Sequence, residues 1–194
     1  LVAAKVENGV GTLVEVNCET DFVAKGDKFI ALAEQVLDQA VAVEAADADA
    51  LLKSNMGGKT VAEVLDEANA TIGEKIEVRR VARLEGENVT AYLHKTSPDL
   101  PAQIGVLVAL KGGDEATARD IAMHIAAFSP TVLTREEVDA DTVANERRVA
   151  EATAKEEGKP EAALPKIIEG RVNGFFKDVA LLDQPPVSDD KKTV

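Results

Sequence analysis

The stretch that decides the fold is Glu15–Lys25, which reads Glu-Val-Asn-Cys-Glu-Thr-Asp-Phe-Val-Ala-Lys. It connects a strand-like segment, Gly11–Val16, to a predicted helix that begins near Asp27. The helix is predicted because aliphatic residues recur about every 3.6 positions, at Ile30, Ala33, Leu37 and Val41. A strand, an acidic turn and a helix in this order indicate a mixed α and β fold.

Phe22 lies within the acidic turn, next to Asp21. A large aromatic side chain in such a place suits insertion into a partner's pocket, because loops project from the scaffold that holds them. The alternative is that the ring packs on the local core as a hydrophobic staple for the following helix. The residues alone leave both interpretations open.

Further strand patterns surround this unit. Val2–Val6 and Thr12–Val16 are predicted to pair as a hairpin across a glycine-bearing turn. A second amphipathic helix is predicted from Val61 to Ile72, ending at Gly73. Three more strands are predicted at Ile76–Leu84, Val89–Leu93 and Ile104–Leu110. The last of these is apolar enough to be covered on both faces.

The strand, acidic turn and helix that follow Gly11 have a counterpart after Gly105. We therefore predict an α+β fold with two related subdomains, each a small antiparallel sheet with packed helices. The predicted subdomains are residues 1–113 and 114–194. The second includes a helical arm over about residues 141–180, predicted to project and to serve self-association or partner contact.

Composition argues against several classes of function. The formal charge of −13 disfavours direct nucleic-acid binding, which needs clustered Lys and Arg. No apolar run approaches the roughly 18 residues needed to span a bilayer. The single cysteine, Cys18, is expected to be a small buried hydrophobe in a reducing compartment. The chain opens at Leu1 without a signal-peptide pattern, and we expect a piece of a longer cytoplasmic protein.

No catalytic, cofactor or metal site is predicted, and we expect that the chain is not an enzyme. Gly58-Lys59-Thr60 ends like a phosphate-binding loop, but Lys53 occupies the position where that motif needs glycine. His94 and His124 lack the spacing of metal ligands. Asp120 and His124 are four residues apart on one predicted helix, which favours a solvated ion pair.

Five segments together resemble the elongation factor Ts family. They are Glu15–Lys25, Gly73–Arg80, Ile104–Val108, Ile121–Ala127 and Glu169–Arg171, in the family's order. The first segment is long and specific, and the others are short. The resemblance implies the core region of a bacterial-type member, lacking the N-terminal helical module and the C-terminal end.

The resemblance also implies a guanine-nucleotide exchange factor. Such a protein binds elongation factor Tu carrying GDP and promotes GDP release during translation elongation. In the family an Asp-Phe pair approaches the nucleotide site, where the ring wedges into the GTPase and disturbs the magnesium site. The implied partner-binding residues are Thr20, Asp21, Phe22, Val23, Ile104, Gly105 and His124. The alternative is a scaffold that binds a GTPase without exchange activity.

Overall fold

The computed structural model describes residues 1–186 and 192–194. The chain divides into two compact units, Leu1–Ala126 and Ala127–Val194. The strands are β1 (Val2–Glu7), β2 (Val10–Asn17), β3 (Asn55–Met56), β4 (Lys59–Thr60), β5 (Glu77–Glu85), β6 (Asn88–His94) and β7 (Ile104–Leu110). The helices are α1 (Asp21–Ala24), α2 (Asp27–Ala42), α3 (Ala48–Lys53), α4 (Val61–Ile72), α5 (Glu115–Phe128), α6 (Ala140–Glu156) and α7 (Leu164–Val179).

The first sheet has the order β1-β2-β5 and is antiparallel throughout. The predicted hairpin is confirmed, with Lys5 opposite Thr12. Asn8 and Gly9 form its turn with φ angles of 51° and 74°. A two-residue hairpin turn needs these left-handed conformations, and Asn-Gly adopts them readily. The turn therefore fixes the register of β1 against β2, and β5 pairs with the other edge of β2.

One face of the first sheet packs against helices. Val14 and Val16 on β2 are fully buried among apolar side chains of α2 and α4. The residues of α2 that are buried are Phe29, Leu32, Ala33, Val36, Leu37 and Ala40. Helix α4 has Thr60 as its N-cap, whose side chain accepts from the Glu63 N–H, and Gly73 as its C-cap. Lys59-Thr60 therefore forms the short strand β4 directly ahead of a helix, with Thr60 as the helix N-cap.

The second sheet is the β6–β7 hairpin, with His94 opposite Ile104. Because side chains alternate between the two faces of a strand, β7 contacts two different layers. Val106 and Val108 pack with α5 in one apolar cluster, while Leu107 lies close to Gly11 on β2. The predicted coverage of β7 on both faces is confirmed, and so is the α+β fold built from small antiparallel sheets.

The predicted boundary between residues 113 and 114 falls inside the first unit, between β7 and α5. A division of the chain at that point stays a prediction. What the structure shows is the same order of elements twice, since the β1–β2 hairpin and the β6–β7 hairpin are each followed by a helix that packs on sheet residues.

The second unit contains the predicted helices of the arm, α6 and α7. The two helices bury Ala150, Ala154, Leu164 and Val172. An ion pair between Arg171 and Glu157 spans 2.8 Å. Thr131 donates its N–H to the Val179 carbonyl at 2.9 Å, so the end of α7 is tied to the segment before α6. The use of these helices for self-association stays a prediction.

Candidate functional site

The Thr20–Val23 segment forms the start of a short helix, α1, rather than an irregular loop. Helix α1 has four residues, and Thr20 is its N-cap. The Thr20 hydroxyl oxygen accepts from the Val23 N–H at 3.3 Å, which satisfies a donor that would otherwise lack a partner at a helix start. Asp21 lies in the first turn, where a carboxylate is favoured by the helix dipole. The sequence predicted a turn here and missed this helix.

Phe22 and Val23 point into different surroundings. The Phe22 side chain is 80% exposed, the largest value among the exposed large hydrophobic residues described. Val23 is partly buried and packs against the core of the first unit. The interpretation of Phe22 as a hydrophobic staple is therefore wrong, because Val23 makes the anchoring contact and leaves the aromatic ring in solvent.

The Glu74 carboxylate holds the start of this segment. Its Oε1 atom accepts hydrogen bonds from the backbone N–H groups of Glu19 and Thr20, each at 3.0 Å. Its Oε2 atom accepts from the Thr20 hydroxyl at 2.6 Å. In the opposite direction, Glu19 Oε2 accepts from the Lys75 N–H at 2.9 Å. We call these four hydrogen bonds the Glu74 clamp, and each joins a carboxylate oxygen to a backbone N–H or to the Thr20 hydroxyl.

Hydrogen bonding changes the pKa of Glu74. The Thr20 hydroxyl, followed by the backbone donors, lowers the pKa of Glu74 below that of an ordinary glutamate. Glu74 is therefore ionised at neutral pH. The neighbouring Cys18 is partly buried against the core, and burial raises the pKa of its thiol. A neutral, packed thiol fits the structural role expected for Cys18.

The backbone around Glu74 is itself fixed. Gly73 ends α4 with a φ of 81° and donates its N–H to the Asn69 carbonyl at 2.9 Å. The Asn69 side-chain oxygen accepts from the Ile76 N–H at 2.8 Å, and Ile76 is buried in the core. Glu74 therefore extends from a short, rigid connection between α4 and β5.

The remaining predicted site residues lie on the second sheet and on α5. Ile104 is 36% exposed at the start of β7. Gly105 faces the other way, because a Cβ atom there would lie 2.5 Å from Val2 Cγ1 on β1. His124 is only 6% exposed. The solvated pair with Asp120 is thus wrong, since α5 turns the imidazole toward the protein interior.

Glu19 and Glu74 are the residues that sequence reasoning missed. Glu74 belongs to one of the family-like segments, but no spacing rule connects it to Thr20, which is 54 residues away. Among the described residues, no group of three or more His, Cys, Asp or Glu side chains is arranged to hold a metal ion. The helices described are all too short or too polar to cross a bilayer.

Comparison with known proteins agrees with the resemblance carried by the five segments. Residues 19–194 match the sequence model of the family described as Elongation factor TS. The whole chain is 62% identical to Elongation factor Ts of Kineococcus radiotolerans and covers 70% of that protein. It is 60% identical to the Elongation factor Ts proteins of Micrococcus luteus and Beutenbergia cavernae, covering 71% of each.

The family match and these relatives place this α+β chain among the translation elongation factors. Within that class, the chain belongs to the elongation factor Ts family. The resemblance drawn from the five segments is confirmed.

Proposed function

We propose that this chain is a guanine-nucleotide exchange factor that binds elongation factor Tu carrying GDP and promotes GDP release. Membership of the elongation factor Ts family supports a role in translation elongation. The observation that carries the exchange mechanism is the exposure of Phe22 on a capped and clamped helical turn. A phenyl ring held in water by a fixed backbone is suited to insertion into a partner.

Rigid presentation favours binding because less conformational freedom is lost when the complex forms. Burying the Phe22 ring in the partner yields roughly 1.5–3 kcal/mol. A thousandfold weakening of GDP binding requires about 4 kcal/mol of coupling between the two ligands, and this coupling is reciprocal. Phe22 therefore supplies part of the coupling, and other contacts must supply the rest.

Asp21 and the partner's magnesium ion provide a second contribution in this proposal. A bound divalent cation is often the largest local charge in a nucleotide site. The Asp21 carboxylate lies in the same helical turn as Phe22 and is exposed. Insertion of the ring brings this negative charge toward the cation and the phosphates, and loss of the cation weakens GDP binding.

Ile104 and Gly105 belong to a second proposed contact on β7. Ile104 is exposed enough to be covered by a partner, whereas Gly105 lets the second sheet pack closely on β1 and β2. His124 is buried, so direct contact with a partner requires a change of structure that exposes the ring. The proposal places this activity in the cytoplasm, with a protein partner rather than a nucleic acid or a membrane.

The test is stopped-flow release of fluorescent GDP from elongation factor Tu. The unchanged chain should accelerate release, and Phe22→Ala should reduce the acceleration roughly 10- to 100-fold, the equivalent of the lost ring contact. Val43→Ala is the matched control, because Val43 is 42% exposed and follows the far end of α2. It should exchange like the unchanged chain.

Two outcomes would contradict the proposal. If Phe22→Ala accelerates release as well as the unchanged chain, the ring is not the wedge. If the unchanged chain binds elongation factor Tu in a pull-down without accelerating GDP release, the alternative of a scaffold without exchange activity is the better description.

A further inference from the structure

We propose that Glu74 is a positioning residue for exchange, which presents Phe22 to the partner by clamping the start of α1 to the connection between α4 and β5. The proposal rests on the exchange function proposed above and extends it to a residue that lies outside the Thr20–Val23 segment. It concerns how the wedge is held, rather than which side chain is inserted.

Helix α1 needs an external support. It has four residues and buries none of its side chains completely. Isolated helices shorter than about 12–15 residues are marginal in water, so this turn cannot be held by its own hydrogen bonds. Val23 is its one side chain packed against the apolar core. A further restraint comes through the N-cap residue, Thr20.

Glu74 restrains Thr20 at two points. The backbone N–H and the hydroxyl of Thr20 donate to different oxygens of the same carboxylate. The same hydroxyl oxygen accepts from the Val23 N–H, so Glu74 is connected through Thr20 to the first turn of α1. Two contacts to one residue fix its orientation as well as its position.

Each of the two segments supplies one carboxylate to the clamp. Glu74 reaches the backbone of Glu19, and Glu19 reaches the backbone of Lys75. Each carboxylate therefore accepts a hydrogen bond from the backbone of the other segment, and the two segments lie more than fifty residues apart in sequence. Because the Glu74 side is anchored through Asn69 and buried Ile76, α1 is held on a rigid base.

Three substitutions at one position separate geometry from charge. Glu74→Ala removes every acceptor and should slow GDP release about tenfold, since α1 must then be ordered when the partner binds. Glu74→Gln keeps one oxygen for the two N–H donors, and its amide can donate to the Thr20 hydroxyl oxygen, so we expect near-normal exchange. Glu74→Asp keeps the charge but shortens the reach, so exchange should be slowed to an intermediate extent.

A double-mutant cycle shows whether Glu74 acts through the ring. In the Phe22→Ala background, Glu74→Ala should cause little further loss, because the effects of residues that act through one hydrogen-bond network are non-additive. Glu67→Ala is the matched control, since Glu67 lies on α4 and pairs with Lys59 away from the clamp. It removes one exposed carboxylate and should leave the release rate unchanged.

The failure of each proposal gives a different result. Slow exchange by Phe22→Ala with normal exchange by Glu74→Ala overturns the positioning role and leaves the exchange function intact. Normal exchange by Phe22→Ala overturns the wedge itself. An equal loss from Glu74→Ala in both backgrounds also overturns the proposal, because Glu74 would then act elsewhere. Should Glu74→Ala fail to fold in a thermal melt, Glu74→Asp decides: slowed exchange supports the clamp and normal exchange overturns it.

Discussion

Gly105 on β7 and Leu13 on β2 approach so closely that a Cβ atom at position 105 would lie 2.7 Å from Leu13 Cδ1. We expect Gly105→Ala to lower the free energy of unfolding by about 1 kcal/mol, the low end of the usual cost of overpacking, because the atoms that must move are the ends of the half-buried Val2 and Leu13 side chains. Urea denaturation measures this difference. Unchanged stability would contradict the close packing of the two sheets.

Gly170→Ala tests the same substitution in open surroundings. Gly170 lies within α7, and an added Cβ atom would meet nothing within 4 Å. We expect the free energy of unfolding to rise by about 0.5–1 kcal/mol, because alanine loses less conformational freedom in a helix than glycine does. A fall in stability would indicate that position 170 is more crowded than the structure shows.

Asp21→Asn removes a charge and keeps the shape of the side chain. We expect slower GDP release in the same direction as Phe22→Ala but by a smaller factor, since the ring still inserts. Stability should change by no more than about 0.5 kcal/mol, as is usual for surface substitutions. Stopped-flow release and thermal melts measure the two effects. A larger exchange defect than that of Phe22→Ala would make the carboxylate, not the ring, the principal group.

The Glu74 clamp should titrate in acid. Because the pKa of Glu74 is lower in the folded chain than in the unfolded one, its stabilisation is fully present above the unfolded pKa. It is lost as the pH falls through the folded pKa. The backbone amide signals of Glu19 and Thr20 in NMR spectra should shift with a midpoint below that of an ordinary glutamate.

Glu74→Gln is the control for this titration, because it leaves no ionisable group at position 74. The shared transition at Glu19 and Thr20 should then disappear. If the transition persists in Glu74→Gln, another carboxyl group causes it and the assignment to Glu74 is incorrect.

The first unit should fold without the helices of the second. A chain ending at Phe128 retains both apolar clusters, the one under β2 and the one between β7 and α5. We expect cooperative urea unfolding of this fragment, followed by circular dichroism. A gradual, non-cooperative transition would show that residues after 128 contribute to the core.

Long elements were predictable from sequence, and very short helices were not. Helix α2 has an apolar pattern that repeats over several turns, and β7 is an almost continuous apolar run. Helices α1 and α3 have four and six residues, which is too short for a periodic pattern to develop. For α3 a local signal was available, since Asp47 is an N-cap that accepts from the Ala50 N–H at 2.8 Å.

The candidate site likewise contains residues that could be identified from the sequence and residues that could not. Phe22 could be found because a distinctive motif surrounds it, but its exposure could not, because the residues alone also allowed the ring to pack on the core. Glu74 could not be found, because a bond from a carboxylate to a distant backbone N–H leaves no spacing rule in the sequence. His124 was misjudged because pairing with Asp120 was weighed above its position between the half-buried Ile121 and Ile125.

The central position of β2 also affects how the chain is made. β1 precedes β2 and can pair with it at once, but β5 follows roughly 60 residues later. Synthesis of those residues takes roughly 3–12 s at a ribosome that adds about 5–20 residues per second. During that interval one edge of β2 has unpaired backbone groups, a template for association with other chains. Substitutions that delay β5 pairing should therefore reduce the yield of folded protein even when the finished molecule is equally stable and equally active.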